Sequence, residues 1–381
     1  MSPSPHARVL GIMSGTSIDS VDYALCRVTA ASVTLDRHWQ TAFPKALRQR
    51  LHRAARGQAT SWELGQLHHD LGRFYAQAAA EGLDHDQPDL AGLHGQTVYH
   101  QPGPRHPATL QIGEPAWLAE TLRIPVVSNF RVADLAAGGQ GAPLATLFHQ
   151  VAFGHDGQFV CVNNLGGISN VTAINRRRPH HPRVLAFDTG PANVLMDLAM
   201  RELTRGRSPC DHNGAWAAAG HPNPRLVTRW LRHPFFQKPP PKSTGRELFG
   251  EPLWLRIAPE IASARLSPCD LLATLAELTA GSIALNYRLH FGRRPDRVIL
   301  AGGGADNPHL VRRIAHHLHL WAPKAAVLTS TQAGWPTQAI EAAAFALLAY
   351  CRLHGRPGNL PATTGARHPA LLGQVSEPPP R

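Results

Sequence analysis

The sequence predicts an α/β protein in two lobes of duplicated design, and three observations carry that prediction. Val9 to Leu25 reads as a buried strand, a turn of small polar residues (Ser14-Gly15-Thr16-Ser17) and a second strand of alternating character. Gln158 to Thr172 repeats the design around a Gly166-Gly167 turn, although not residue for residue. Around these hairpins, short apolar runs that end in polar or glycine residues alternate with stretches of helical period. Open α/β sheets that bind ligands at their strand ends have that pattern.

Along the chain, the first turn leaves room for an anion at the backbone. Its amides and hydroxyls can donate to phosphate oxygens, as a backbone nest does. Asp19 and Asp22 add carboxylates that suit a hard cation such as Mg2+. The Gly-Lys-Ser/Thr ending of a P-loop is absent. A basic segment follows, then a helix whose Leu64, Leu67, Leu71, Phe74 and Ala78 form one core-facing stripe. Asp89 to Leu93 reads as a short buried strand that delivers His94-Gly95-Gln96-Thr97 at its end. Thr109–Glu114 and Ile124–Arg131 read the same way, and Ala136–Pro143 reads as a flexible glycine-rich crossing.

After the second hairpin, Val184 to Asp188 reads as a strand ending in an aspartate, beside a Gly190-Pro191 turn and a helix start. A carboxylate there can act as a general base or merely cap the helix, whose inner face takes Val194, Leu195, Leu198 and Ala199. Pro239–Gly250 reads mostly as loop. Ser267-Pro268 opens a long helix by the N-cap and N1 rules, with Leu271, Leu275, Leu278 and Ile283 inward. Asp296–Ala301 runs into Gly302-Gly303-Gly304 and then Asn307-Pro308, a strand, glycine turn and helix start that admit a nucleotide. A last long helix spans Glu341 to Ala349, and the tail from Ser376 reads as frayed.

Bulk properties exclude other classes. A chain of 381 residues with 43% hydrophobic content is long enough for two cores. No apolar run approaches a membrane span and the N-terminus lacks a signal peptide's apolar centre, so a cytoplasmic protein is expected. Five scattered cysteines make neither a zinc pattern nor a disulfide framework. The net charge of +12 raises the possibility of nucleic acid, but the basic residues are dispersed. Their densest cluster, Arg176-Arg177-Arg178-Pro179-His180-His181, reads as a solvated loop tip. Neither nucleic acid nor a membrane is an expected partner.

In order along the chain, a set of these stretches resembles the anhydro-N-acetylmuramic acid kinases, bacterial cell-wall recycling enzymes. They are Met13–Asp19, His94–Thr97, Gly138–Leu144, Asn164–Asn170, Phe187–Pro191, Pro241–Glu247, Gly302–Gly304 and Thr364–Ala366. The family usually has Gly where Ser20 stands, Ser at Leu93, Asp at Asn129 and Gly at Ala192. The resemblance implies a two-lobed actin-like kinase fold, a duplicated ribonuclease-H-like design with its active-site cleft between the lobes. The expected lobes are residues 1–155 with about 345–381, and 156–344.

The resemblance also implies a reaction. ATP, water and 1,6-anhydro-N-acetylmuramic acid give ADP and N-acetylmuramic acid 6-phosphate. Asp188 is implied as the base that activates water. Ser14, Gly15, Thr16 and Ser17 would cradle phosphates, with Gly166 and Gly167 from the second lobe facing them. Asp19 would hold Mg2+, and Gly302, Gly303 and Gly304 would lie beside the adenosine. Thr97, Arg131 and Asp134 are candidates for the sugar and its lactyl carboxylate, with an i, i+3 ion pair as the alternative for Arg131 and Asp134. A homodimer is the expected assembly. The rival readings are a related kinase or ATPase with another acceptor, and a sensor of the sugar without activity.

Overall fold

The computed structural model describes residues 6–103, 105–178 and 183–380, so Pro179, His180 and His181 of the basic cluster lie outside the described residues. The chain divides into one unit of residues 1–152 and 338–381 and a second of residues 153–337.

In the first unit, β1 (Ala7–Ser14), β2 (Ser20–Val28) and β3 (Val33–Ala42) form an antiparallel meander. β4 (Leu90–Gln101) and β6 (Val126–Ser128) extend the sheet in parallel from the other side of β1, and β5 (Ala108–Ile112) pairs antiparallel with the outer part of β4. A C-terminal strand, Gln374–Ser376, closes the edge against β6 and takes in Ser376, where the sequence reads as the start of the frayed tail. Helices Lys45–Ala55 and Ser61–Leu83 bring Leu51, Leu67, Leu71 and Tyr75 into the core beneath Leu10, Ile12 and Tyr23. Where the sequence reads as a plain basic segment, the fold has β3 and the first of these helices. β3 buries only Val33, so the period-2 signal that marks a strand is missing.

Helix Ala339–Leu353 crosses the same sheet, and it does so at backbone contact. A Cβ on Gly11 would meet the Ala342 carbonyl, and one on Gly92 the Phe345 carbonyl. Two sheet glycines therefore let a helix backbone lie directly on β1 and β4.

In the second unit, β7 (Phe159–Leu165), β8 (Ile168–Asn175) and β9 (Arg183–Pro191) form the meander, and β10 (Arg297–Ala301) and β11 (Ala326–Thr329) follow in parallel beside β7. The order β9-β8-β7-β10-β11 repeats β3-β2-β1-β4-β6 of the first unit. Each unit thus has the 3-2-1-4-5 order with its second strand reversed, and the fold is a duplicated ribonuclease-H-like architecture. Helix Pro268–His290 is the core helix here, started by Ser267, whose side chain accepts from the Asp270 amide. By length and composition it could cross a membrane, which corrects the reading that no apolar run comes near that length. Its apolar character comes from packing on several sides, since the successive residues Leu271, Leu272 and Ala273 are all buried.

Candidate active site

Two stretches that read as strand ends prove to be bulges inside strands. β4 runs through His94-Gly95-Gln96-Thr97 to Gln101, with a register shift between the Ile12 and Ser14 pairs and Gly95 at φ +78°. β9 runs through Asp188 to Pro191, and its register shifts between the partners of Ser169 and Asn170. A bulge re-aims side chains and breaks the alternation that a sequence reader follows.

In the first unit the β1–β2 turn closes through Ile18 N–H donating to the Gly15 carbonyl at 3.2 Å. Ile18 is only 2% exposed yet sits at φ +59°, a strained conformation for a β-branched residue. Its burial in the core holds Thr16, Ser17 and Asp19 outward as exposed side chains. Ser14 faces the other way: it is buried, and its Oγ lies 2.9 Å from the Tyr75 hydroxyl. That hydroxyl is engaged inside the unit, which corrects the expectation that it points at phosphate. Tyr75 was missed because the helical stripe led to Phe74, which is only half-buried.

Beside the turn, Gln96 is fully buried and donates from Nε2 to the Gly15 carbonyl at 3.2 Å. Its Oε1 is buried with no hydrogen-bond partner among the described residues. His94 is also buried, with Nδ1 2.8 Å from the Gly95 carbonyl and Nε2 3.0 Å from Arg131 Nε. A carbonyl only accepts and a guanidinium only donates, so the proton is on Nδ1 and the ring is neutral. Burial, then Arg131, hold its pKa well below the usual histidine value. Arg131 also donates to the Gly141 carbonyl at 2.6 Å, and burial brings its pKa down to about 10 against the pull of Glu341. Glu341 stands at the start of the helix lying on the sheet, and desolvation raises its pKa while Arg131 opposes the rise. Thr97 is half-buried and accepts from Gln111 at 3.3 Å.

Arg131 and Asp134 lie on helix Phe130–Ala136, not at a strand end. Asp134 is fully buried. One carboxylate oxygen accepts from Asn359 at 2.6 Å and Thr364 at 2.7 Å, and the other from the Gly141 amide at 2.7 Å. Neither the ion pair with Arg131 nor an outward contact with a sugar is open to it. Asp134 holds the 138–141 loop, so the crossing expected to be flexible is fastened.

In the second unit the carbonyls of Gly166 and Gly167 accept amides from Asn193, and from Ala192 and Val194, respectively. This pins the β7–β8 turn to the start of helix Val194–Leu203. Gly302-Gly303-Gly304 packs against the same turn: Gly302, at φ +77°, would drive a Cβ onto the Leu165 backbone. Gly167 is different, since a Cβ there finds its closest neighbour, Arg246, at 3.8 Å.

Asp188 is half-buried. Its Oδ2 accepts the Thr244 amide at 2.7 Å, and its own amide donates to the Lys242 carbonyl at 3.1 Å. Burial pushes its pKa up to about 6, Glu247 adding to the rise while the Thr244 amide and Lys242 oppose it. Lys242, Thr244 and Arg246 belong to the loop of the Pro241–Glu247 stretch, to which no individual role attached in the sequence. Thus Gly166, Gly167, Asp188 and Gly302–Gly304 share one end of the second sheet, and Gly15–Asp19, Gln96, Thr97 and Arg131 one end of the first. Among the described residues, no group of three or more His, Cys, Asp or Glu side chains is placed to hold a metal.

Comparison with known proteins adds the following. The family model for anhydro-N-acetylmuramic acid kinase matches residues 7–378. The anhydro-N-acetylmuramic acid kinase of Crocosphaera subtropica is 41% identical over 380 residues, covering 97% of this chain and 98% of that protein. The one from Acaryochloris marina is 43% identical over 379 residues, covering 96% and 99%. Among solved structures, an activator of 2-hydroxyisocaproyl-CoA dehydratase from Clostridium difficile with bound ADPNP superposes with a TM-score of 0.43 at 9% identity, covering 91% of this chain and 96% of that one.

Proposed function

The chain belongs to the anhydro-N-acetylmuramic acid kinase family, and on that premise we propose that it hydrolytically opens 1,6-anhydro-N-acetylmuramic acid and phosphorylates O6. The products are N-acetylmuramic acid 6-phosphate and ADP, in the cytoplasm, within peptidoglycan recycling. The setting of Asp188 carries this reading. A water molecule is a weak nucleophile, and a base poised near the working pH is what its activation requires. Half-burial places the Asp188 carboxyl near 6, and the Thr244 amide fixes the orientation of the carboxylate. Asp188 takes a proton from water as its oxygen bonds to the anomeric carbon. The C1–O6 bond breaks, and O6 receives the γ-phosphoryl group.

ATP supplies that phosphoryl group, and Mg2+ bound with it neutralises the charge on the phosphates. The residues present fit both. Gly15 and Gly167 stand in open turns, where an added Cβ would meet nothing closer than 3.8 Å. In this reading Gly15, Thr16 and Ser17, with Gly166 and Gly167, hold phosphates, Ser14 shaping the turn from inside. Gly302, Gly303 and Gly304 lie beside the adenosine. Asp19 is exposed and would bind Mg2+ through its water shell, since that ion usually takes only one or two carboxylates. Arg131, buttressed by His94, pairs with the lactyl carboxylate, and Thr97 contacts the sugar. The proposed assembly is a homodimer, to be read by light scattering.

Purified protein with Mg-ATP and the anhydro sugar should give a product heavier by one phosphoryl group and one water by mass spectrometry. An unchanged sugar, with ATP still bound, would sink the reading. ATP turnover that is independent of the sugar would favour the related-ATPase alternative.

A further inference from the structure

Lys242 stands out as a buried cation close to the reacting end of the second unit, with no place in the chemistry above. It is 9% exposed. Its ammonium has three hydrogens and three acceptors: the Phe235 and Phe236 carbonyls, each at 3.2 Å, and His290 Nε2 at 3.3 Å. The Phe235 ring lies 4.9 Å away and the Phe187 ring 5.7 Å. The same residue's carbonyl accepts the Asp188 amide, and two residues on, Thr244 donates to the Asp188 carboxylate. The loop that orients Asp188 is therefore anchored through a single charged side chain.

We propose that Lys242 is a positioning residue for Asp188: its buried ammonium, held by the Phe235 and Phe236 carbonyls, clips residues 242–244 in place and fixes a positive charge on the segment that bonds the Asp188 carboxylate. This inference rests on the proposed role of Asp188 as base. The other titratable groups facing the pair are Glu247, whose charge acts on Asp188 in the opposite sense, and His290 at the end of helix Pro268–His290. Burial lowers the Lys242 pKa to about 8 while Asp188 opposes the fall, so the ammonium is charged through the range in which Asp188 titrates. Loss of that charge removes an attraction that favours the ionised Asp188 carboxylate.

The experiment compares full-length Lys242→Met, Lys242→Gln and Lys242→Arg with wild type and with Asp188→Asn, using kcat and KM across pH. In parallel, the Asp188 carboxyl is titrated by 13C NMR in the absence of substrates. Lys242→Gln keeps donors for the Phe235 and Phe236 carbonyls, which guards against a simple folding failure. The expected result is a kcat lowered at least tenfold in the Met and Gln variants, with KM within about twofold. The acidic limb and the NMR midpoint should both move to higher pH, and Lys242→Arg should restore them. An unmoved midpoint in folded Met or Gln variants would overturn the proposal even if kcat fell, because a purely structural role predicts that outcome. A fully active Asp188→Asn would instead overturn the base assignment, and the inference with it.

Discussion

Asp134 and Asp188 are both carboxylates that the chain's pattern nominates for the site, and the fold sets them differently: Asp134 is fully buried and Asp188 half-buried. Asp134 has both oxygens occupied by three donors from two distant segments, and it stitches the 138–141 loop to Asn359 and Thr364. Asp188 receives one backbone amide on one oxygen and is left with a raised pKa near 6. A carboxylate with both oxygens engaged by internal donors is a structural device, whereas one with fewer donors in a partly desolvated setting stays basic. The same residue type thus has its oxygens consumed by internal donors in one unit and, in the other, is left with the basicity that the proposed role requires.

The largest expected effect tests the reactive member. Asp188→Asn should retain nucleotide binding by calorimetry and lose about 10²–10⁴-fold in turnover. Its stability should move the other way. A carboxyl with a folded pKa raised from 3.8 to about 6 stabilises the fold below the unfolded value, and that contribution is lost as pH rises through 6. The asparagine variant should accordingly gain about 1–2 kcal/mol over wild type at pH 7, after allowance for partial exposure, and nothing at pH 4. Equal urea midpoints at pH 7 would show that Asp188 is not held against its ionisation. Wild-type turnover should also fall below pH 6, as the base becomes protonated.

Asp134→Ala tests the structural member. It strands three buried donors and should destabilise the first unit by about 3 kcal/mol, while kcat per folded molecule stays within a few-fold. A full-stability variant that had lost sugar binding would reverse the assignment of the two aspartates. His94→Phe sharpens the contrast at Arg131, keeping an aromatic ring against Phe345 but removing the acceptor for Nε. The KM for the sugar should rise about tenfold with kcat nearly unchanged, an effect absent for an analogue lacking the carboxylate.

The smallest effects come from extending the comparison to glycines. Gly302→Ala meets the Leu165 backbone at positive φ and should lower stability by about 1–2 kcal/mol. Gly167→Ala meets nothing closer than 3.8 Å in its own chain. Its melting temperature should hold while the ATP Kd weakens, and unchanged ATP binding would remove Gly167 from the phosphate site.

Much of this was legible in the chain. Both hairpins, the Ser267-Pro268 helix start and the strand leading into Gly302 follow local rules, because caps, turns and alternation are properties of adjacent residues. β3 escaped notice because an edge strand with one buried residue leaves no alternation to read. The ends of β4 and β9 were misread for a related reason: a bulge interrupts the period without ending the strand.

Local chemistry along the chain therefore specified the elements, the two-lobed duplication and the turns near which a ligand could lie. The separate fates of Asp134, Asp188, Ser14 and Lys242 waited for the folded chain. Whether a polar group is consumed or left free depends on donors that arrive from far along the sequence. Asn359 and Thr364 reach Asp134 from more than 200 positions away, Tyr75 meets Ser14 across 61, and Thr244 meets Asp188 across 56. Burial then sets the pKa values of these groups, and burial is a property of packing that no stretch of sequence carries alone.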